Sequence, residues 1–177
     1  SKDDVVSMLI MQQLNGIGRS YVRETRQACR KLVSEIYSPP RLTREIKRGK
    51  WKHIAPGFAL DLTVMDPADG QPWDFTLATK RERARKLFRE QKPYLLVGSP
   101  ERRAFSTWQA LNRFRSSCPE HYDRAVVAAT LHMDFVASLY QEQVDAGRYF
   151  LHEHPNGASS WDLPCILRLL NVPTVQR

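Results

Sequence analysis

Lys92-Pro93-Tyr94-Leu95-Leu96-Val97-Gly98-Ser99-Pro100-Glu101-Arg102-Arg103-Ala104-Phe105 is the stretch whose reading decides the fold. Tyr94 to Val97 is a short, nearly all-apolar run, which suits a strand buried on both faces of a parallel sheet. Gly98, Ser99 and Pro100 then stop it abruptly. In an open α/β sheet, ligands gather outside the carboxyl ends of the strands, so the loop from Gly98 to Ser106 is the first place to look for a site. An ordinary core strand followed by a turn would read the same way on these residues alone.

Outward from this strand, helices and strands alternate. Thr76 to Gln91 reads as a strongly basic helix with Leu77, Ala84, Leu87 and Phe88 to bury. Before it come a brief element at Trp73-Asp74-Phe75, Asp-Pro and Asp-Gly turn chemistry over Met65 to Gly70, and a strand over Phe58 to Thr63. Leu42 to Lys50 reads as a short helix and Val33 to Tyr37 as a first buried strand closed by Ser38-Pro39-Pro40. Two helices are expected ahead of it, the second over roughly 19–32 with Arg19, Arg23, Arg26 and Arg30 on one stripe. Toward the C-terminus, a helix begins between Phe105 and Asn112. A long one follows over Arg124 to Ala146, with Val127, Leu131, Phe135 and Leu139 in one row and Gly147 at its end. Tyr149 to Leu151 is a further strand, Trp161 to Leu170 a helix, and Val172 to Arg177 a last strand cut short. The expected fold class is α/β, a mostly parallel, Rossmann-like sheet flanked by helices. A basic helical extension over 1–32 precedes a domain over 33–177.

A chain of 177 residues is long enough to bury one core without disulfides. No apolar run reaches a membrane span, and no signal-peptide pattern opens the chain. Ser1 in place of Met is what a piece of something longer would show. Cys29, Cys118 and Cys165 are odd in number and scattered, which argues against a disulfide framework or zinc site and for a reducing, intracellular compartment. The net charge of +8 is segregated. Residues 1–52 carry 12 Lys/Arg against 5 Asp/Glu, residues 53–79 four acids and no Lys/Arg, and residues 80–103 nine basic against three acidic. Two basic blocks flanking an acidic segment are the footprint expected of a polyanion binder. The candidate phosphate contacts are Arg19, Arg23, Arg26, Arg30, Lys80, Arg81, Arg85, Arg89, Arg102 and Arg103, although a basic helix face is as readily a solvated one.

Acidic residues fall at successive strand ends: Glu35, Asp61, Asp74 and Glu153. There, carboxylates commonly hold ribose hydroxyls or amino groups. The series Glu-Ile-Tyr-Ser-Pro-Pro (35–40), Ala-Leu-Asp-Leu (59–62), Trp-Asp-Phe (73–75), Leu-Val-Gly-Ser-Pro…Ala-Phe-Ser (96–106) and Tyr-Phe-Leu-His-Glu-His-Pro (149–155) resembles a diverged cytosine-5 DNA methyltransferase catalytic domain. It is also similar to methyltransferase-like segments of algal retroelement polyproteins. The resemblance covers roughly residues 33–177 and implies a methyltransferase-type sheet with S-adenosylmethionine as cofactor. It implies that Glu35, Asp61 and Asp74 bind the cofactor, that Ser99-Pro100 and Phe105-Ser106 frame the catalytic loop, and that Glu153 holds the target base.

The sequence departs from the family's pattern at two decisive places. The family's nucleophilic cysteine corresponds to Arg102, and a guanidinium is neither nucleophilic nor able to lose its charge. The glycine-rich turn after the first strand is replaced by Ser38-Pro39-Pro40, which supplies fewer free amides. A separate target-recognition domain is absent too. Ordinary cytosine-5 methylation is therefore not expected, and loss of the cofactor is. Three functions stay open: a catalytically degenerate domain that binds DNA or RNA or acts as a scaffold, an active methyltransferase on an acceptor needing no cysteine, and a structural RNA-packing protein of a large ribonucleoprotein. His152 and His154, two apart on a strand, would share a face and could seat a metal, but a structural or substrate-contact role is the stronger reading and no metal is expected. Trp73, Trp108 and Trp161 could stack bases, with core packing the default.

Overall fold

The computed structural model describes residues 30–49, 51–116 and 120–177. Four strands, β1 (Lys31–Ile36), β2 (Ile54–Leu60), β3 (Leu95–Gly98) and β4 (Tyr149–His152), form one all-parallel sheet in the order β2-β1-β3-β4. The connections are α1 (Leu42–Arg48), α2 (Ala78–Gln91), and α3 (Thr107–Arg115) with α4 (Glu120–Asp145); α5 (Pro164–Leu170) follows β4. This is a Rossmann-like α/β arrangement. The chain winds from β1 outward to β2, then crosses back over β1 to β3 and β4. The topological switch point thus lies between the carboxyl ends of β1 and β3, where such sheets open a crevice.

The quoted stretch forms the strand expected of it. Leu96 is fully buried, and β3 pairs with β1 through Val33↔Leu95 to Ile36↔Gly98. Gly98, the last residue of β3, has no room for a side chain, because a Cβ there would collide with the Tyr140 hydroxyl of α4. The core between sheet and helices is aromatic-rich: Phe58, Trp73, Phe75, Phe88, Phe135 and Tyr140.

Several expected elements shift, each for a physical reason. β2 starts at Ile54, earlier than expected, because an edge strand tolerates Pro56. The β1–β2 register slips between Val33 and Glu35, beside Pro56 and Gly57. Trp73 to Phe75 is no strand. A single antiparallel bridge, Met65↔Pro72, closes the acidic loop, and Trp73 and Phe75 plug the core from it. Val172 to Arg177 is likewise no strand. The row expected to face inward on α4 is buried only from Phe135 onward; Val127 is 72% exposed, so the first turns of α4 project beyond the core. The basic helical extension expected over 1–32 lies outside the described residues as far as residue 29, and Lys31 already belongs to β1. No helix among the described residues is long and apolar enough to cross a membrane.

Candidate functional site

The carboxyl ends of β1, β3 and β4 converge on a cleft of about 360 Å³. Its walls are Tyr37, Ser38, Pro39 and Arg41 after β1, Ser99 to Arg103 after β3, and Glu153 after β4. Backbone bonds fix these walls to one another. The Ser99 amide donates to Ile36 O (3.2 Å), and the Glu153 amide to Gly98 O (2.9 Å). Of the residues expected to act, the structure brings Ser99, Pro100, Arg102, Arg103 and Glu153 together here.

His154 holds the β3 and β4 loops in place. Its buried imidazole lies 3.0 Å from Pro100 O through Nε2 and 2.6 Å from Ser160 Oγ through Nδ1. A carbonyl only accepts, so Nε2 carries the hydrogen and Nδ1 accepts from the serine hydroxyl. Burial, which opposes the charged form, pushes His154 below its usual pKa and keeps this neutral tautomer. His152 stacks on it with ring centroids 5.0 Å apart, bonds Tyr140 OH through Nδ1 (3.2 Å), and is pushed down to about 4 by burial and by His154. His154 has both ring nitrogens engaged, whereas Nε2 of His152 is buried without a hydrogen-bond partner among the described residues; no three His, Cys, Asp or Glu side chains among them gather to hold a metal.

Glu35 is buried and has a different task from the one the resemblance implies. Its carboxylate accepts from Thr43 Oγ1 (2.6 Å), Thr43 N (2.7 Å), Leu42 N (3.0 Å), Arg41 N (3.3 Å) and Ser38 Oγ (3.3 Å). Helix α1 has no side-chain cap of its own at Arg41, so Glu35 satisfies its first amides from below. Glu35 builds the loop instead of facing a ligand.

That has a consequence for the implied cofactor. A cofactor carboxylate at this turn would need free backbone amides. Pro39 and Pro40 have none, Arg41, Leu42 and Thr43 give theirs to Glu35, and the Tyr37 amide donates to Leu60 O (2.8 Å). Tyr37 itself takes the left-handed conformation (φ 57°) that a glycine would occupy freely. Its phenol packs on Phe75 and lies 3.0 Å from His132 Nδ1, and burial raises its pKa. Asp61 and Asp74 do not line the cleft. Each commits an oxygen to its own loop, Asp61 to Thr63 (2.7 Å to the hydroxyl) and Asp74 to Thr76 (2.7 Å to the hydroxyl). The Thr76 hydroxyl and amide hold Asp74 below the usual carboxylate range. At the β1 turn the amides of Tyr37, Arg41, Leu42 and Thr43 are thus committed within the fold, and Pro39 and Pro40 have none to offer.

The basic side chains of helix α2 have partners of their own. Lys80 is buried, with Nζ 2.9 Å from Asp66 Oδ2 and 2.7 Å from Asp69 Oδ1. Arg81 donates to Phe75 O and Thr76 O (2.7 and 2.8 Å), tying down the start of its own helix. Arg85 pairs with Glu142 of α4 (2.5 Å), and Arg89 with the same carboxylate (2.8 Å). Arg83 joins the Asp66–Asp69 cluster at 2.8 and 3.1 Å. The acidic segment therefore folds back on the second basic block, and the candidate phosphate contacts Lys80, Arg81, Arg85 and Arg89 all have acceptors within the chain, Arg89 in a largely exposed pair. Arg30 stands before β1, a strand length from the cleft, and Arg19, Arg23 and Arg26 lie outside the described residues. What remains at the site is Arg41, Arg102 and Arg103, all exposed; the sequence reading did not include Arg41. Arg103 is only 3.9 Å from Glu101 at best, a loose surface pair.

Cys165 is buried in α5, its thiol pushed up to about 11, first by burial and then by Asp134. Cys118 lies outside the described residues. Trp73 is core, and Trp161 donates to Pro155 O while Arg177 covers its ring at 4.5 Å. The side chain of Trp108 is not among those described. A larger cavity of about 450 Å³ runs beside β4, lined by Tyr140, Phe150, Trp161 and Ile166 among others, and contains no carboxylate side chain. No family model, curated protein or solved structure matches the chain.

Proposed function

We propose that this chain is a methyltransferase-like domain that has lost catalysis and binds nucleic acid through the cleft at the β1–β3 switch point. The observation that carries this reading is the cleft's own composition. Arg102, at the position the resemblance gives to the nucleophile, lines it together with Arg41 and Arg103, and Glu101 and Glu153 are the carboxylates in its walls. Three exposed guanidiniums on one concave surface attract phosphates, and a carboxylate beside them accepts from base amino groups. The β1 turn, closed on Glu35, supports loss of S-adenosylmethionine. The basic extension over 1–32 would add to the same polyanion affinity.

The test uses the full chain. Calorimetry with S-adenosylmethionine should give no heat, whereas a labelled oligonucleotide should bind with salt-sensitive affinity. Replacing Arg41, Arg102 and Arg103 together by Ala should weaken that binding at least tenfold. Unchanged oligonucleotide affinity in the triple variant, or methyl transfer by the parent, would contradict the reading.

A further inference from the structure

The cavity beside β4 has a chemistry quite unlike that of the strand-end cleft. It holds about 450 Å³, within the range of small-molecule sites, and lies between the last turns of α4, the outer strand β4, α5 and residues 174–177. Its walls are mostly apolar. Tyr140 stacks on Phe150 with ring centroids 4.4 Å apart, and Val144, Ile166 and Leu169 continue the surface. Among its few polar groups one cluster stands out. The His152 ring lines the cavity, and Trp161 stands edge-on to it at 5.4 Å. Arg177 covers the Trp161 ring at 4.5 Å and is fixed there by Nη2, which donates to Asn156 O (2.6 Å) and Asn156 Oδ1 (2.9 Å). Arg148 is the other charged residue of the lining, its Nε spent on Gln143 Oε1 (2.6 Å). The charged groups of the lining are thus two guanidiniums, with no carboxylate to balance them.

His152 also has a hydrogen bond to give. Tyr140 is fully buried, and its hydroxyl lies 3.2 Å from His152 Nδ1. A buried hydroxyl must place its hydrogen on an acceptor, and among the described residues Nδ1 is the one it reaches. Tyr140 therefore donates to Nδ1, and the imidazole, kept neutral by burial, carries its own hydrogen on Nε2. That nitrogen is buried with no hydrogen-bond partner among the described residues. A bond left unmade in this way costs stability, and a fold that keeps it needs a reason. An acceptor oxygen entering from the cavity would take that hydrogen, and a negative one is further attracted by Arg177, which shares Trp161 with His152. We propose that the cavity binds a small apolar carboxylic acid, its hydrocarbon body against Tyr140, Phe150 and Ile166 and its carboxylate at the end formed by His152 and Arg177. The site is separate from the strand-end cleft and does not depend on the nucleic-acid reading.

The experiment titrates the full chain with octanoate, octanol and octylammonium, three probes with the same hydrocarbon body and different heads. Calorimetry gives the affinities, and the Ile166 methyl signals in NMR report where the probe sits. Octanoate should bind roughly tenfold tighter than octanol, the worth of one hydrogen bond to a charged group, and octylammonium should not bind. The Ile166 methyl signals should move as octanoate saturates the protein. Arg177→Gln, a change at the surface, should cost octanoate roughly tenfold and leave octanol unchanged. His152→Phe keeps a ring of similar shape, removes the donor and should act in the same direction. Leu170→Trp fills the cavity and should abolish binding of both, with far-UV circular dichroism confirming that the variant is folded. Equal affinity for octanoate and octanol, or a preference for octylammonium, overturns the proposal. So does octanoate binding that leaves the Ile166 methyl signals in place or survives in folded Leu170→Trp, since it would then lie elsewhere on the basic surface. Absence of binding at millimolar octanoate, by heat and by NMR, overturns it as well. Should Leu170→Trp fail to fold, Arg177→Gln and the methyl signals decide.

Discussion

Helix α2 and the strand-end cleft are built from the same residue type and use it in opposite ways. On α2, Lys80 and Arg83 meet Asp66 and Asp69, and Arg85 and Arg89 meet Glu142, so a helix that is strongly basic in sequence presents much of its charge to partners inside the fold. At the cleft, Arg41, Arg102 and Arg103 have no comparably close carboxylate and stay exposed. Charge density along a chain therefore says little about polyanion binding until the partner of each charge is known. An arginine paired with a carboxylate has already exchanged its hydration for that partner, and engaging a phosphate would require breaking the pair.

The contrast can be broken from the α2 side. Asp66→Asn should cause the largest loss of stability, about 3 kcal/mol in urea unfolding, because it leaves the Lys80 ammonium buried beside a weakened partner. Unchanged stability together with tighter oligonucleotide binding would mean that α2 is held in reserve as a binding surface. Glu35→Gln follows at about 2 kcal/mol, since the amide cannot accept from all five donors of the β1–α1 loop. That variant should also weaken oligonucleotide binding, because Ser38 to Arg41 form one cleft wall; intact binding would show that this wall does not matter.

His152 sharpens the comparison through pH. The unfolded chain protonates this imidazole near its ordinary value, whereas the folded chain does so only at about 4. Between those values the unfolded state holds more protons, so stability is full above about pH 6.5 and declines as pH falls toward 4. The loss should be on the order of 2 kcal/mol, discounted for partial exposure, and His132 and His154, both shifted down chiefly by burial, act in the same direction. His152→Gln should flatten the profile. The smallest effect is expected for Arg89→Ala, a urea midpoint close to the parent's, because that half of the Glu142 cluster is exposed.

The parallel sheet was legible because its signals are local. Leu95 to Val97 is an apolar run bounded by Gly-Ser-Pro, and Gly147 ends α4 in the left-handed conformation (φ 64°) expected of a terminating glycine. β2 was placed late, from Phe58, because Pro56 and Gly57 are unusual inside a strand and are accommodated here at the sheet edge. The convergence of Ser99, Pro100, Arg102 and Glu153 was readable from the strand-end rule. The roles of Glu35, Lys80 and Arg85 were not. Arg85 and Glu142 are 57 residues apart, and no pattern in either segment announces the other.

The most direct test of the cleft against α2 is the salt dependence of oligonucleotide binding in three proteins: the parent, Arg41→Ala/Arg102→Ala/Arg103→Ala, and Arg85→Ala/Arg89→Ala. If the cleft is where phosphates bind, the log–log slope of the first variant should become shallower by about 2 to 3, at roughly 0.7 to 0.9 for each contact removed, while the α2 variant keeps the parental slope. A slope that falls in the α2 variant and holds in the cleft variant would contradict the account.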